Sequence, residues 1–169
     1  MTRILSAALL VVLLAPLAAC GDDDEPSSAV DPTAAPQLEF TRTGGCGDAF
    51  FWATTADGTN ALVVSVELRD RSASEPTEVD LTLPAPAADV QLWTGTELTS
   101  MMCNDIVLVE VTEETPVTEG EVRVTLQPRP EGSTDYVDGK AELTGLVAED
   151  GTELPDLQIK ATSIGFYAG

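Results

Sequence analysis

The chain has 169 residues, with 29 acidic against 8 basic side chains, a formal net charge of -21 and no histidine. That length suits one ordinary domain, and such acidity argues against nucleic acid as a partner, because neutralising phosphates needs clustered Lys and Arg. The absence of histidine removes imidazole acid–base catalysis, the Ser-His-Asp triad and its Cys-His relative, and His-ligated zinc, type-1 copper and haem.

Met1-Thr2-Arg3 places one positive charge ahead of an apolar run, Ile4 to Leu14, broken only by Ser6. Ala15 and Pro16 follow, then Leu17-Ala18-Ala19-Cys20. A charged start, a short apolar stretch and small residues before a cut form the layout of a secretory signal. The run is too short to span a bilayer, which takes about 20 apolar residues. Leu17-Ala18-Ala19-Cys20 resembles the lipobox of bacterial lipoproteins. The resemblance implies that residues 1–19 are removed, that Cys20 becomes the mature N-terminus, and that a diacylglyceryl group on its sulfur anchors the chain to a membrane of the cell envelope. Two or more acyl chains suffice for stable anchoring.

Residues 20–36 carry Asp22-Asp23-Asp24-Glu25 and several prolines, with nothing apolar enough to pack. They read as a disordered tether between the lipid and a domain over residues 37–169.

In that domain apolar residues recur with period two, the mark of half-buried strands. Leu62, Val64, Val66 and Leu68 point one way, and Ala61, Val63, Ser65 and Glu67 the other. Val79, Leu81 and Leu83 alternate with Asp80 and Thr82, and Val122, Val124 and Leu126 with Arg123, Thr125 and Gln127. Ile106 to Val109 is apolar on both faces and predicts a central strand. Further strands fit near Ala49–Thr55, Val90–Trp93, Lys140–Val147 and Leu157–Phe166. In the last of these, Leu157, Ile159 and Ala161 give way to Ile164 and Phe166, a change of parity that predicts a bulge near Thr162–Ser163. Turn signals lie at Asp57-Gly58, Pro84 to Pro86, Glu119-Gly120, Pro128 to Gly132 and Asp150-Gly151. With 43% hydrophobic but only 5% aromatic residues, the core is expected to be aliphatic. The pattern predicts an all-β antiparallel β-sandwich.

With Cys20 lipidated, Cys46 and Cys103 remain, and two cysteines in an exported domain are expected to pair. Their bridge would close a long loop, worth about 4 kcal/mol by chain entropy. A sandwich with one disulfide resembles an immunoglobulin-like domain. It departs from that pattern in two places: Trp52 follows Cys46 too closely, and Met101 stands where a tyrosine corner would place Tyr.

Met101-Met102-Cys103 together with Cys46 offers soft sulfur ligands for Cu(I), although an oxidising compartment favours a disulfide beside two methionines. Asp135, Asp138 and Gly139 faintly echo a calcium loop but fail the EF-hand spacing, and the closing Glu is missing. Glu110, Glu113, Glu114, Glu119 and Glu121 read as a solvated acidic rim or a weak Ca²⁺ site. Gly44-Gly45-Cys46-Gly47 lacks the Lys of a phosphate loop and reads as a bend at the bridge. Trp93 sits opposite in parity to Val90 and Leu92, either as the cover of a second layer or as an exposed contact residue.

Together these features predict a non-enzymatic, lipid-anchored envelope module without a cofactor, binding an unknown protein or cationic ligand. The alternative is a small-ligand or Ca²⁺-binding lipoprotein accessory to a transporter, and third comes a hydrolase using paired carboxylates.

Overall fold

The structure is a computed structural model and describes residues 37–68, 76–104, 109–127 and 137–164. The alternating segments become strands β1 (Phe40–Cys46), β2 (Phe50–Thr55), β3 (Asn60–Val66), β4 (Thr77–Thr82), β5 (Ala88–Gly95), β6 (Val111–Gln127), β7 (Val137–Ala148) and β8 (Leu157–Ile164). One helical turn, α1 (Leu98–Met101), lies between β5 and β6. The fold is all-β, and each strand pairing is antiparallel.

Hydrogen-bonded neighbours run β1-β2-β3-β5-β6-β7-β8, and β4 pairs with β6 off this path. The long strand β6 joins two sheets. Its first half pairs with β5, as in Trp93↔Glu114. Its second half lies between β4 and β7, as in Val79↔Val124 and Val124↔Ala141. We call sheet A the group β1, β2, β3, β5 and the first half of β6. Sheet B comprises β4, the second half of β6, β7 and β8.

Where β6 passes from one sheet to the other, its register against β7 shifts twice between Val117 and Glu121. Gly120 takes φ 120° on β6 and Gly145 takes φ 60° on β7, conformations that glycine reaches without a Cβ penalty. Paired bulges of this kind bend a strand and let it turn a corner. The Glu119-Gly120 signal therefore marks a bulge inside a continuous strand instead of a turn.

The end strands β1 and β8 lie side by side without hydrogen-bonded pairing, so the sheet comes close to closing as a barrel. Gly45 makes this approach possible, because a Cβ there would stand 2.8 Å from Ala161 Cβ and 3.0 Å from Ile164 Cδ1.

The inward faces of both sheets form one aliphatic core. Phe51, Leu62 and Val64 of sheet A and Val122, Val124, Leu143, Ile159 and Ile164 of sheet B are all buried within it. Fully burying each such side chain contributes about 1.5–3 kcal/mol. Leu62, Val64 and Val66 share this core as their alternation predicts.

β8 carries the expected bulge. Gly139 pairs with Ala161 but Val137 pairs with Ile164, so one extra residue sits near Thr162–Ser163 and Ile164 returns to the core. Strand β1 and the first half of β6 carry too little apolar alternation to have been anticipated. The expected strand at Ile106–Val109 falls largely on residues outside those described, and Val109 itself stands just before β6. Cys20, the tether, Pro128 to Gly132, Asp135 and Phe166 also lie outside the described residues.

Candidate functional site

Pairing register defines the outer face of sheet A. Side chains directly opposite one another across paired strands share a face. One row reads Arg42, Thr54, Ala61, Trp93, Glu114; the next reads Gly44, Trp52, Val63, Gln91, Pro116; a third reads Cys46, Phe50, Ser65, Asp89. A sheet face exposed to water would carry polar residues here. Instead, Ala61 and Val63 are buried and form a second apolar cluster with Leu98 and Met102, against which Phe50, Trp52, Trp93, Met101 and Val111 pack.

The cover is the segment Thr96–Asn104, which leaves the end of β5 and crosses the outer face towards β1. At its near end the Leu98 amide donates to the Gly58 carbonyl at 2.9 Å, and Leu98 is fully buried. Midway, the hydroxyls of Thr99 and buried Thr54 share a hydrogen bond of 2.8 Å. At the far end Cys103 is disulfide-bonded to Cys46, with Cα atoms 5.9 Å apart. The predicted bridge is present, and both sulfurs are consumed by it, which leaves no thiolate there for Cu(I). It lies on the outside of sheet A, apart from the main core.

Two tryptophans flank this cover in different states. Trp52 lies over β1, where Gly44 leaves room: a Cβ at Gly44 would come 2.5 Å from Trp52 Cζ2. Its Nε1 is buried and finds no hydrogen-bond partner among the described residues. Trp93 is half-buried against the second cluster. Its Nε1 donates to Gln91 Oε1 at 2.7 Å, and the Gln91 amide donates in turn to Asp89 Oδ2 at 3.1 Å. Trp93 thus covers a second layer and still presents part of its ring to solvent, directly opposite exposed Glu114. Gln91 and Asp89 were not singled out from the sequence, where their i, i+2 spacing to Trp93 on one strand face was the available signal, and nothing in the sequence marked the Thr54–Thr99 contact.

The outer face of sheet B has a different character. Its rows read Glu78, Thr125, Lys140, Lys160 and Asp80, Arg123, Glu142, Gln158. Arg123 is bonded to Asp80, which holds its guanidinium above the ordinary value, and lies 3.7 Å from Glu78. Lys140 lies 2.9 Å from Glu142, and Gln158 donates to Glu142 at 3.0 Å, so Glu142 is held below the usual carboxylate range. An open depression of about 500 Å³ on this face is lined by Asp80, Thr82, Glu121, Arg123, Glu142 and Thr144, among others. Three carboxylates, Asp80, Glu121 and Glu142, share it with the Arg123 guanidinium.

Glu110, Glu113, Glu114, Glu119 and Glu121 are all exposed, the first just before β6 and the others along it. No group of three or more His, Cys, Asp or Glu among the described residues is placed to hold a metal ion. Asp138 and Gly139 belong to β7, with Gly139 facing the core, so they are strand residues and form no calcium loop. No helix among the described residues is long and apolar enough to cross a membrane. The chain matches no family model, no curated protein and no solved structure.

Proposed function

We propose that this chain is a lipid-anchored module of the cell envelope that works by contact and not by turnover, with the outer face of sheet A as its contact surface and a cationic protein surface or polycation as its partner. The observation that carries the reading is Trp93: a half-exposed indole fixed by Gln91 and Asp89, next to Glu114, on a chain of net charge -21. An aromatic face beside carboxylates attracts cationic side chains through the ring quadrupole and through long-range steering. The anchor rests on Leu17-Ala18-Ala19-Cys20 behind its apolar run, with lipid on Cys20. The immunoglobulin-like reading belongs to the same proposal and is supported by two antiparallel sheets about one core, although the bridge lies outside that core where an immunoglobulin domain joins its two sheets through it.

Two measurements test this. Replacing Cys20 with Ser should abolish acylation and release the domain from membranes; retention of the lipid mass and of membrane fractionation would overturn the anchor. Pull-down of the released domain from envelope extract should recover a basic partner at low salt and lose it at high salt, with Trp93→Ala weakening capture further. A tight partner indifferent to salt, or turnover of a substrate, would overturn the contact reading.

A further inference from the structure

We infer that Thr96–Asn104 is a redox-latched strap: the Cys46–Cys103 bridge holds it across sheet A, and reduction releases its far half to uncover the Phe50, Trp52, Val63 face while the main core stays folded. This regulates the contact face proposed above, although the latch itself does not depend on what binds there.

Three observations converge on the strap. The first is the separation of the two cores. The main core draws on both sheets and includes neither cysteine nor any strap residue, whereas the second cluster has four buried members, two of which, Leu98 and Met102, come from the strap. Local opening follows such boundaries, because segments with few buried apolar contacts open at lower free energy than the core.

The second is stored backbone strain. Among the described residues three non-glycine positions have positive φ: Ala49 at 109°, Glu97 at 53° and Cys103 at 56°. Glu97 and Cys103 lie on the strap, and Ala49 lies in the β1–β2 turn three residues beyond Cys46. Each such residue persists only where its surroundings over-determine it, and strain of this kind gathers at clamps and switches. Cys103 takes its positive φ as the third residue of a turn closed by the Asn104 amide on the Met101 carbonyl at 3.2 Å, and the bridge ties that turn to β1.

The third is the unequal fastening of the two ends. The near end has the buried Leu98 side chain, the Leu98–Gly58 backbone bond and the Thr99–Thr54 bond. Beyond the buried Met102, the fastening to β1 among the described residues is the disulfide, both of whose cysteines are partly exposed and so open to a reductant. Beneath the strap, Trp52 Nε1 is buried without a partner among the described residues. A buried donor left unsatisfied favours any state in which water reaches it.

The redox step is ordinary thiol–disulfide exchange with a dithiol. One thiolate of the dithiol attacks a bridge sulfur and forms a mixed disulfide, and its second thiol resolves it. Two electrons and two protons pass to Cys46 and Cys103, and the dithiol leaves as its own disulfide.

The test uses the full-length chain carrying Cys20→Ser, oxidised and then reduced with dithiothreitol, with thiol labelling to establish that both cysteines are free. A Cys46→Ser/Cys103→Ser variant in the same background gives a second route to the unlatched state. On reduction, tryptophan emission should shift to the red and acrylamide quenching should rise. Exchange of the Ser100 and Asn104 amides should accelerate by at least about tenfold, while amides of Val122, Val124 and Ile159 keep their protection. The double variant should match the reduced protein. Unchanged emission and exchange with both thiols labelled would overturn the latch. So would resistance of the native bridge to the dithiol, or loss of strap and core protection together.

Discussion

Gly139→Ala probes the contact between the two sheets, because the space that Gly139 leaves is filled from both sides. Gly139 faces inward on β7, paired with Leu126 of β6 and Ala161 of β8. A Cβ there would stand 2.7 Å from Ile164 Cγ1 and 3.0 Å from both Cε1 and Cζ of Phe51. Ile164 belongs to β8 in sheet B and Phe51 to β2 in sheet A, and both are buried. The methyl group would therefore push the sheets apart, with no flexible chain end to absorb it. Overpacking of this kind costs about 1–3 kcal/mol. Replacing glycine by alanine inside a strand returns about 0.5–1 kcal/mol, which leaves a net loss of about 1–2 kcal/mol. For a domain of about 130 residues that is a fall in Tm of about 4–8 °C. Urea and thermal unfolding of the non-lipidated chain, followed by circular dichroism, measure it. Ile164→Ala alone should cost about 2–5 kcal/mol. In the double variant the new methyl occupies part of the vacated space, so the two losses should sum to at least about 1 kcal/mol less than additivity. A Gly139→Ala protein as stable as its parent, or a strictly additive double variant, would refute the packing argument.

Three further outcomes follow from local geometry. Gly145→Ala should lower stability by about 1 kcal/mol and Gly145→Asn by less, because φ is 60° there and nothing stands within 4 Å of a Cβ, so only the backbone conformation is at stake; urea midpoints decide it. Asp57 is held below its ordinary pKa by the Thr55 hydroxyl first and then by Thr59, and Asp150 by Thr152. A depressed carboxylate stabilises the fold above its unfolded pKa of about 4 and loses that contribution as pH falls through the folded value. Asp57→Asn/Asp150→Asn should therefore flatten the acid limb of the stability profile below about pH 4, and an unchanged limb would contradict it. Arg123→Ala should leave the urea midpoint unmoved, since its pairs with Asp80 and Glu78 are exposed and screened; a clear loss would show that the network on sheet B does more than neutralise charge.

Much of the fold was legible because period-two alternation survives wherever one face of a strand is buried. β3, β4, β7, β8 and the second half of β6 could be read from it, and the parity break after Ala161 located a bulge to within a residue. Strand β1 escaped because Thr41, Arg42 and Thr43 are exposed, and Gly44 and Gly45 carry no side chain to set a pattern. The first half of β6 escaped for a related reason, since Thr112, Glu113 and Glu114 are all exposed and no apolar face marks them. Ladder hydrogen bonds make these residues strands, and composition does not report backbone pairing. The bridge and the parity of Trp93 could be read from residue type alone. The strap could not, because a crossing over the sheet is a tertiary event with no period of its own. Its one trace was the apolar character of Ala61 and Val63 on the second face of β3.

The distribution of charge distinguishes the two outer faces and bears on which one makes contact. Among the described residues, Arg123, Lys140 and Lys160 all lie on the outer face of sheet B, and Arg42 is the one basic side chain elsewhere. Sheet B therefore interleaves these three cations with Glu78, Asp80, Glu121, Asp138 and Glu142, which offsets much of its negative field, and at physiological salt little of the rest extends beyond the Debye length of about 8 Å. Sheet A, the strap and the first half of β6 carry Asp89, Glu97, Glu110, Glu113 and Glu114 against Arg42 alone, so their field keeps one sign outward. On the function proposed above, a cationic partner would be steered to that side before any contact forms, and the indole it would meet there is Trp93. If steering and the aromatic contact act on the same partner, Asp89→Asn/Glu114→Gln should slow association and weaken its salt dependence. Trp93→Ala should instead speed dissociation at every salt concentration. Equal effects of both variants on association alone would mean that Trp93 only covers the second layer.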